Sequence, residues 1–264
     1  MNGYRGFGGN NDRLKDASMK ISDKGRSRRD ILGAVGATAL LSGLPFAAPV
    51  VFAQNTKPKI GLIGSGNVGG ALGRSWARAG YDVMFSSRNL DNNRALAAEV
   101  GSRAQAGTVQ EAAAFGDVVL IAVPYGAVPT LGTTLGDALR GKVVLDASNP
   151  FPDRDGEIAV EAREMGAGLM SAELLPGARI VRAFNAIGAA RMGSAWEEPG
   201  RIGMPIASDD SEAIEIASQL IRDLGYEPVL VGGLAMGRYL LPGSPLSGEH
   251  TPEEIRTIAS DLEP

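Results

Sequence analysis

From Lys59 onward, short apolar runs alternate with segments whose apolar positions fall three or four residues apart. Runs of the first kind read as buried parallel strands and segments of the second kind as amphipathic helices. The pattern predicts strands at 59–63, 81–89, 117–124, 142–150, 178–185, 203–208 and 226–233. One helix carries Val68, Leu72, Trp76 and Ala79 and is ended by Gly80. Others are predicted at 108–116, 125–141, 157–166 and 210–225, with a short terminal one inside 250–264. The helix at 210–225 marks its own ends: Asp210 or Ser211 is the cap, acids fill the first turn, and Arg222 sits in the last. Strands alternating with helices specify an α/β fold, a Rossmann-type doubly wound, mostly parallel sheet.

The pattern fails before Lys59. Residues 1–24 are polar and show no apolar period, the composition of a disordered leader. Ser27-Arg28-Arg29-Asp30-Ile31-Leu32 then matches the twin-arginine export pattern. A mildly apolar stretch, broken by Gly33, Gly36, Gly43 and Pro45, leads to Val51 and Ala53, which stand at the −3 and −1 positions of a signal-peptidase cut after Ala53. Residues 1–53 are therefore expected to be a leader plus twin-arginine signal peptide, and the protein to be periplasmic or otherwise exported. Without that signal it would be cytoplasmic.

Composition narrows the chemistry. No cysteine is present among the 264 residues, which excludes thiolate catalysis, disulfides and Cys-ligated metals. The first 53 residues hold eight Lys and Arg against four Asp and Glu, and the remainder eighteen against twenty-six. An acidic folded part argues against nucleic acid as a partner.

The strongest local signal is Gly64-Ser65-Gly66-Asn67-Val68-Gly69, a G-x-G-x-x-G turn between a predicted strand and a predicted helix. In a dinucleotide site Gly64 permits the tight turn, Gly66 lets the backbone approach the pyrophosphate, and Gly69 lets the helix pack on the strand. The free N–H groups of the helix start would then hold phosphate. After the next strand, where NAD enzymes carry an acid for the ribose hydroxyls, the sequence has Ser86, Ser87 and Arg88. An arginine fork and hydroxyls suit a 2′-phosphate, so NADP(H) is expected over NAD(H), with Arg94 near enough to assist. Arg88 as an ordinary surface arginine is the competing reading. The loops after later strands, 122–126, 147–153 and 184–188, should line the carboxyl edge of the sheet, where ligands bind. These features divide the folded part into an NADP-binding domain at 54–150 and a small C-terminal α/β lobe at 151–264 that completes the active-site cleft.

The segments "IGLIGSGNVGGALG", "SSR", "VLIAVP", "VLDASNPF", "IVRAFNAIG" and "IASDDSEAIEIASQLIRDLGYEPVLVGGL" resemble, in order, those of the NADP oxidoreductases that use the deazaflavin coenzyme F420. The likeness covers 58–243 and implies that Ser87 and Arg88 hold the cofactor's 2′-phosphate. It also implies that the nicotinamide lies by Ala122, Val123, Pro124 and Asn149. The nucleotide module is similar as well to those of pyrroline-5-carboxylate reductases and six-transmembrane metalloreductases. The expected export signal would set the chain apart, because the deazaflavin enzymes it resembles are cytoplasmic.

Residue inventory points the same way. His250 is the sole histidine, and no lysine follows Lys142. Alcohol and hydroxy-acid dehydrogenases need a positioned acid or base. Tyr125 and Tyr239 remain as candidates, with packing as their plainer role. Hydride exchange between a nicotinamide and a flavin-like ring needs positioning more than an ionisable group, so no catalytic side chain and no metal ligand is assigned. Asn149 and Asn185 read equally as cofactor contacts or loop caps. Asp153, Arg154 and Asp155 read as a solvated turn, and Arg238 as a surface arginine rather than an anion contact. The expected cofactor is NADP, with coenzyme F420 or a flavin as the second substrate. The expected partners are a small redox substrate, the twin-arginine translocase and a second copy of the chain in a homodimer. The alternatives are an exported nucleotide-binding or sensor protein without turnover, or an envelope metal or quinone reductase.

Overall fold

The computed structural model describes residues 57–263, so the predicted leader and signal at 1–53 lie outside the described residues. Within them the chain runs β1 (Ile60–Ile63), α1 (Asn67–Arg78), β2 (Val83–Ser86), α2 (Leu90–Val100), β3 (Ala104–Gly107) and α3 (Val109–Phe115). It continues through β4 (Val118–Ile121), α4 (Val128–Leu139), β5 (Val143–Asp146), α5 (Pro152–Asp155), α6 (Glu157–Met165) and α7 (Ala167–Leu174). Then come β6 (Arg179–Arg182), β7 (Gly203–Ala207), α8 (Ser211–Arg222), β8 (Glu227–Gly232) and α9 (Pro252–Ser260).

All eight strands join one sheet in the order β3-β2-β1-β4-β5-β6-β7-β8. Every neighbouring pair is parallel except β6 and β7, which meet antiparallel at Arg182 and Ala207. The chain winds outward from β1 to β3, then crosses back to lay β4 on the other side of β1. Strand order thus reverses between β1 and β4, and a crevice opens above their carboxyl ends. Ile63, Ser86 and Ile121 are level in register, so the three strands end on a common rim. Expected fold and observed fold agree.

Observed strands are shorter than the apolar runs that predict them. The run at 117–124 pairs only over Val118–Ile121, and that at 142–150 only over Val143–Asp146. The residues beyond leave the ladder to build the crevice loops. Two elements stand where no period is visible. β3 is Ala-Gln-Ala-Gly, an edge strand paired on one side, and α2 has two buried residues, Asn93 and Ala97.

Apolar faces explain the layering. Leu72 and Trp76 of α1 are fully buried against β1, β2 and α8, at roughly 2–3 kcal/mol of transfer free energy each. Gly73 allows this contact, since a Cβ there would stand 2.3 Å from the Phe85 ring. Trp76 also meets Phe184 edge-on at 5.9 Å, and its Nε1–H donates to the Leu220 carbonyl at 3.0 Å. Tyr81 donates to Asp223 at 2.7 Å, and Lys57 pairs with the same carboxylate at 2.6 Å. On the opposite face α3, α4, α6 and α7 cover Val119, Ile121 and Val144. A smaller core under α9 holds Val229, Leu240, Leu246 and Ile255. Asp210 caps α8, accepting from the Ala213 N–H at 2.9 Å.

Candidate functional site

The turn between β1 and α1 is fixed from both sides. The Gly64 N–H donates to the Ser86 carbonyl at 2.9 Å, and the Ala122 N–H donates to the Ile63 carbonyl at 2.8 Å. Gly64 has φ +98°, and a Cβ on it would lie 2.3 Å from the Ala122 oxygen. A Cβ on Gly69 would lie 1.8 Å from the Gly64 oxygen. Gly66 differs from both, because a Cβ there would meet nothing within 4 Å. Gly64 and Gly69 are therefore glycines for the protein's sake, and Gly66 faces open space. It also caps α1 without a side-chain bond, and no acid occupies the first helical turn. The leading N–H groups of α1 are left to a ligand, and the helix dipole favours an anion.

Above this turn lies a cavity of about 800 Å³. Its walls include Gly64, Ser65 and Gly66 from the turn, Ser87 and Arg88 from the end of β2, and Ala122, Val123 and Pro124 from the end of β4. Eight of the twelve residues expected to contact the cofactor are thus brought together. The remaining four stand apart from the cavity wall. Asn67 borders a neighbouring hollow on the flank of α1, Val68 packs on the core, and Gly69 serves the helix contact. Asn149 turns to Asn185: its Nδ2 donates to the Asn185 carbonyl at 2.9 Å, and Asn185 Nδ2 returns a bond to Asn149 Oδ1 at 3.3 Å.

Arg88 is exposed and has no carboxylate partner among the described residues. Arg94 instead pairs with Asp91 at 3.0 Å and does not line the cavity. Ser86 is buried, and its hydroxyl donates to the Leu62 carbonyl at 2.7 Å, which makes it part of the sheet. Apolar residues that the sequence did not single out, Val109, Ala127 and Leu131, complete one wall.

The segment read as a solvated turn needs correction. Arg154 and Asp155 line the cavity. The Asp155 carboxylate is 2 % exposed, pairs with Arg154 at 2.6 Å and accepts from the Phe151 N–H at 3.0 Å. Burial raises its pKa, but the Arg154 bonds and the N–H groups of Phe151 and Gly126 outweigh this and hold it below the usual carboxylate range. The Arg154 Nη2 also donates to the Asn149 carbonyl at 2.8 Å, which joins this turn to the end of β5. Nothing in the local composition reveals the arrangement, because it depends on α5 folding back beneath Gly126.

Below the strand ends runs a buried polar chain. Arg182 pairs with Asp146 at 2.7 Å with both side chains at 0 % exposure, and donates to the Ser148 carbonyl at 2.9 Å. Ser171 donates to Asp146 at 2.6 Å and lies 3.1 Å from the Tyr125 hydroxyl, which donates to the Ala167 carbonyl at 3.2 Å. Burial pushes the Tyr125 phenol up to about 12. Tyr239 donates to the Glu263 carbonyl, and His250 lies beside the Ser247 carbonyl. Arg238 reaches the Met165 carbonyl at 3.3 Å. These side chains serve the scaffold.

A family model described as "NADP oxidoreductase coenzyme F420-dependent" matches residues 59–150. An F420-dependent NADP reductase of Methanothermobacter thermautotrophicus is 31% identical over 202 residues, which cover 71% of this chain and 87% of that protein. The chain belongs to the F420-dependent NADP oxidoreductase family. It is an NADP-dependent oxidoreductase.

This oxidoreductase is also 31% identical over 181 residues to the metalloreductase STEAP3 of Rattus norvegicus. That match covers 69% of this chain but spans only 35% of the metalloreductase. Among solved structures, a hypothetical protein of Sinorhizobium meliloti superposes with a TM-score of 0.59 at 29% identity, covering 72% of this oxidoreductase and 92% of that chain.

Proposed function

We propose that this oxidoreductase transfers hydride between NADP(H) in the 800 Å³ cavity and a flavin- or deazaflavin-type ring at the loops after β4, β5 and β6, coenzyme F420 foremost. The observation that carries the cofactor assignment is the end of β2. Ser87 and Arg88 stand in the cavity wall there, and Arg88 has no carboxylate partner among the described residues. An acid at that place would repel a 2′-phosphate, whereas a free guanidinium and a hydroxyl bind it through charge-assisted bonds. The nicotinamide supplies the hydride when bound.

The chain's own residues bind and orient. Gly66 and the first N–H groups of α1 receive the diphosphate, and Val109, Ala127 and Leu131 give the base an apolar wall. Ala122, Val123 and Pro124 border the path from the diphosphate to the reacting ring, and Asn149, bonded to Asn185, holds the end of β5 beside it. The ionisable groups near it are already committed: Asp155 to Arg154, and Tyr125 to Ser171 and Ala167. That suits hydride exchange between two cofactor rings, which asks for geometry rather than a proton carrier. The name of the Methanothermobacter relative supports F420 as the acceptor. Export by the twin-arginine route belongs to the same reading and rests on Ser27–Leu32 of the sequence. The chain would then load its nucleotide before leaving the cytoplasm.

The test follows NADPH oxidation with coenzyme F420, FMN, a quinone and a ferric chelate in parallel. Fastest turnover with F420 or FMN is expected. Reduction of the ferric chelate alone would replace this reading with metal reduction, and silence with all four would leave a binding protein.

A further inference from the structure

Asn93, on α2, has no exposed surface. Its Oδ1 accepts hydrogen bonds from Ser65 Oγ at 2.5 Å and from Ser87 Oγ at 2.8 Å. Its Nδ2 is buried and has no partner among the described residues. One amide thus joins the two hydroxyls of the cavity wall, Ser65 from the β1–α1 turn and Ser87 from the end of β2. A buried amide with an unmade N–H pair is costly, and an apolar residue would fill the same place without that cost. The polar choice calls for a reason.

Hydroxyl direction supplies one. With Oδ1 accepting, both serine hydrogens point inward; Ser87 Oγ also accepts from the Asn89 N–H at 3.3 Å, and the remaining lone pairs face the cavity. Lone pairs repel phosphate oxygens. Half a turn of the amide about its last torsion exchanges its ends. Nδ2 then donates to both serine oxygens, and their hydrogens swing outward to donate to an anion. The orphaned N–H pair is satisfied in the same movement. What remains unpaired is a carbonyl oxygen, the less costly of the two groups to leave so.

We propose that Asn93 is a positioning residue that turns the Ser65 and Ser87 hydroxyls outward when a phosphate binds, and so sets the preference for a 2′-phosphorylated nucleotide over one with a free ribose hydroxyl. A 2′-hydroxyl both donates and accepts, so it is served by either amide orientation. A phosphate dianion accepts only, and needs the second. The inference rests on the NADP(H) reading of the β2 end.

The experiment measures calorimetric affinities of the full chain for 2′,5′-ADP and 5′-ADP, in the wild type, Asn93→Ala, Asn93→Asp and Arg88→Ala. Asn93→Ala should lower 2′,5′-ADP affinity about tenfold or more, the worth of hydrogen bonds to a charged group, and leave 5′-ADP within about twofold. Asn93→Asp, close to the native side chain in size, keeps both hydroxyls turned inward and should lower the preference at least as much, leaving only the share that Arg88 supplies, even if the alanine variant does not fold. The Asn93 side-chain amide resonance should shift with 2′,5′-ADP and stay in place with 5′-ADP. Wild-type selectivity retained in both Asn93 variants but lost in Arg88→Ala would overturn the role of Asn93 alone. A wild type that does not distinguish the two nucleotides would overturn the NADP(H) reading and this inference with it.

Discussion

Gly66→Ala separates folding from binding. A Cβ at this position meets no protein atom within 4 Å, and the backbone φ of −73° is one that any residue adopts. The change should therefore leave stability within about 0.5 kcal/mol of the wild type, about 1–2 °C for a domain of this size. The methyl group instead enters the space through which a diphosphate must approach the α1 N-terminus. Displacing the ligand costs one charge-assisted bond of about 1.5–3 kcal/mol, so NADPH affinity should fall roughly ten- to a hundredfold or somewhat more. Gly69→Ala provides the contrast. Its Cβ would stand 1.8 Å from the Gly64 oxygen, so the helix must move and stability should drop by at least about 1–3 kcal/mol. Differential scanning fluorimetry and calorimetric titration with NADPH read the two effects on the same samples. Undiminished NADPH binding by Gly66→Ala would refute the placement of the diphosphate. A melting temperature as low as that of Gly69→Ala would show that the open space beside Gly66 is not real.

Asp146→Ala should cost about 3–5 kcal/mol in urea denaturation, because it strands the buried Arg182 charge, and Asp146→Leu combined with Arg182→Met should recover most of that loss. Hydrogen bonds from Arg179, and from the Ala213 N–H, hold the Asp210 carboxyl down at about 2, against 3.8 for a free aspartate. Its contribution is therefore complete above about pH 4 and fades as pH falls through about 2. Asp210→Asn, which keeps the cap, should cost about 0.5–1 kcal/mol at neutral pH, since the pair is a third exposed, and chemical denaturation should show the difference closing between those two values. Tyr125→Phe should lower stability by about 1 kcal/mol and leave the pH profile of kcat unchanged below about pH 10, since its phenol is buried and bonded to Ser171 and Ala167. A kcat that falls in Tyr125→Phe while the melting temperature holds would give the hydroxyl a role in turnover.

The β1–turn–α1 unit was legible because each of its requirements is local. Gly64 and Gly69 answer close approaches within a few residues, and Leu72 and Trp76 keep helical spacing. The end of β2 was legible for a similar reason, since Ser87 and Arg88 follow directly on an apolar strand. β3 was not, because an edge strand of alanine, glutamine and glycine buries too little to show a period. Asn93 could have been found as a polar residue one turn from Ala97 on the inner face of α2, but that face shows only once the helix is known. Asp146 and Arg182 stand 36 positions apart and become neighbours only when β5 and β6 pair. Arg154 and Asp155 looked like a surface turn because their partners, Asn149 and Gly126, meet them only in three dimensions. What the sequence hid was wherever the chemistry depends on pairing across the sheet.

The bond from Trp76 to the Leu220 carbonyl has a consequence for the order in which the protein is made. Helix α1 leaves the ribosome early, yet its inner face rests on a carbonyl that is synthesised 144 residues later. Tyr81 waits as long for Asp223, at a separation of 142 residues. A nascent chain that has reached residue 150 holds the whole glycine turn, but its tryptophan still lacks Phe184, the cover of α8 and an acceptor for its N–H. Contacts this distant in sequence form late, because the intervening loop must close before they bring any gain. A translation product that stops short of α8 should therefore leave α1 without its full packing, and the nucleotide site proposed at its N-terminus without a fixed support.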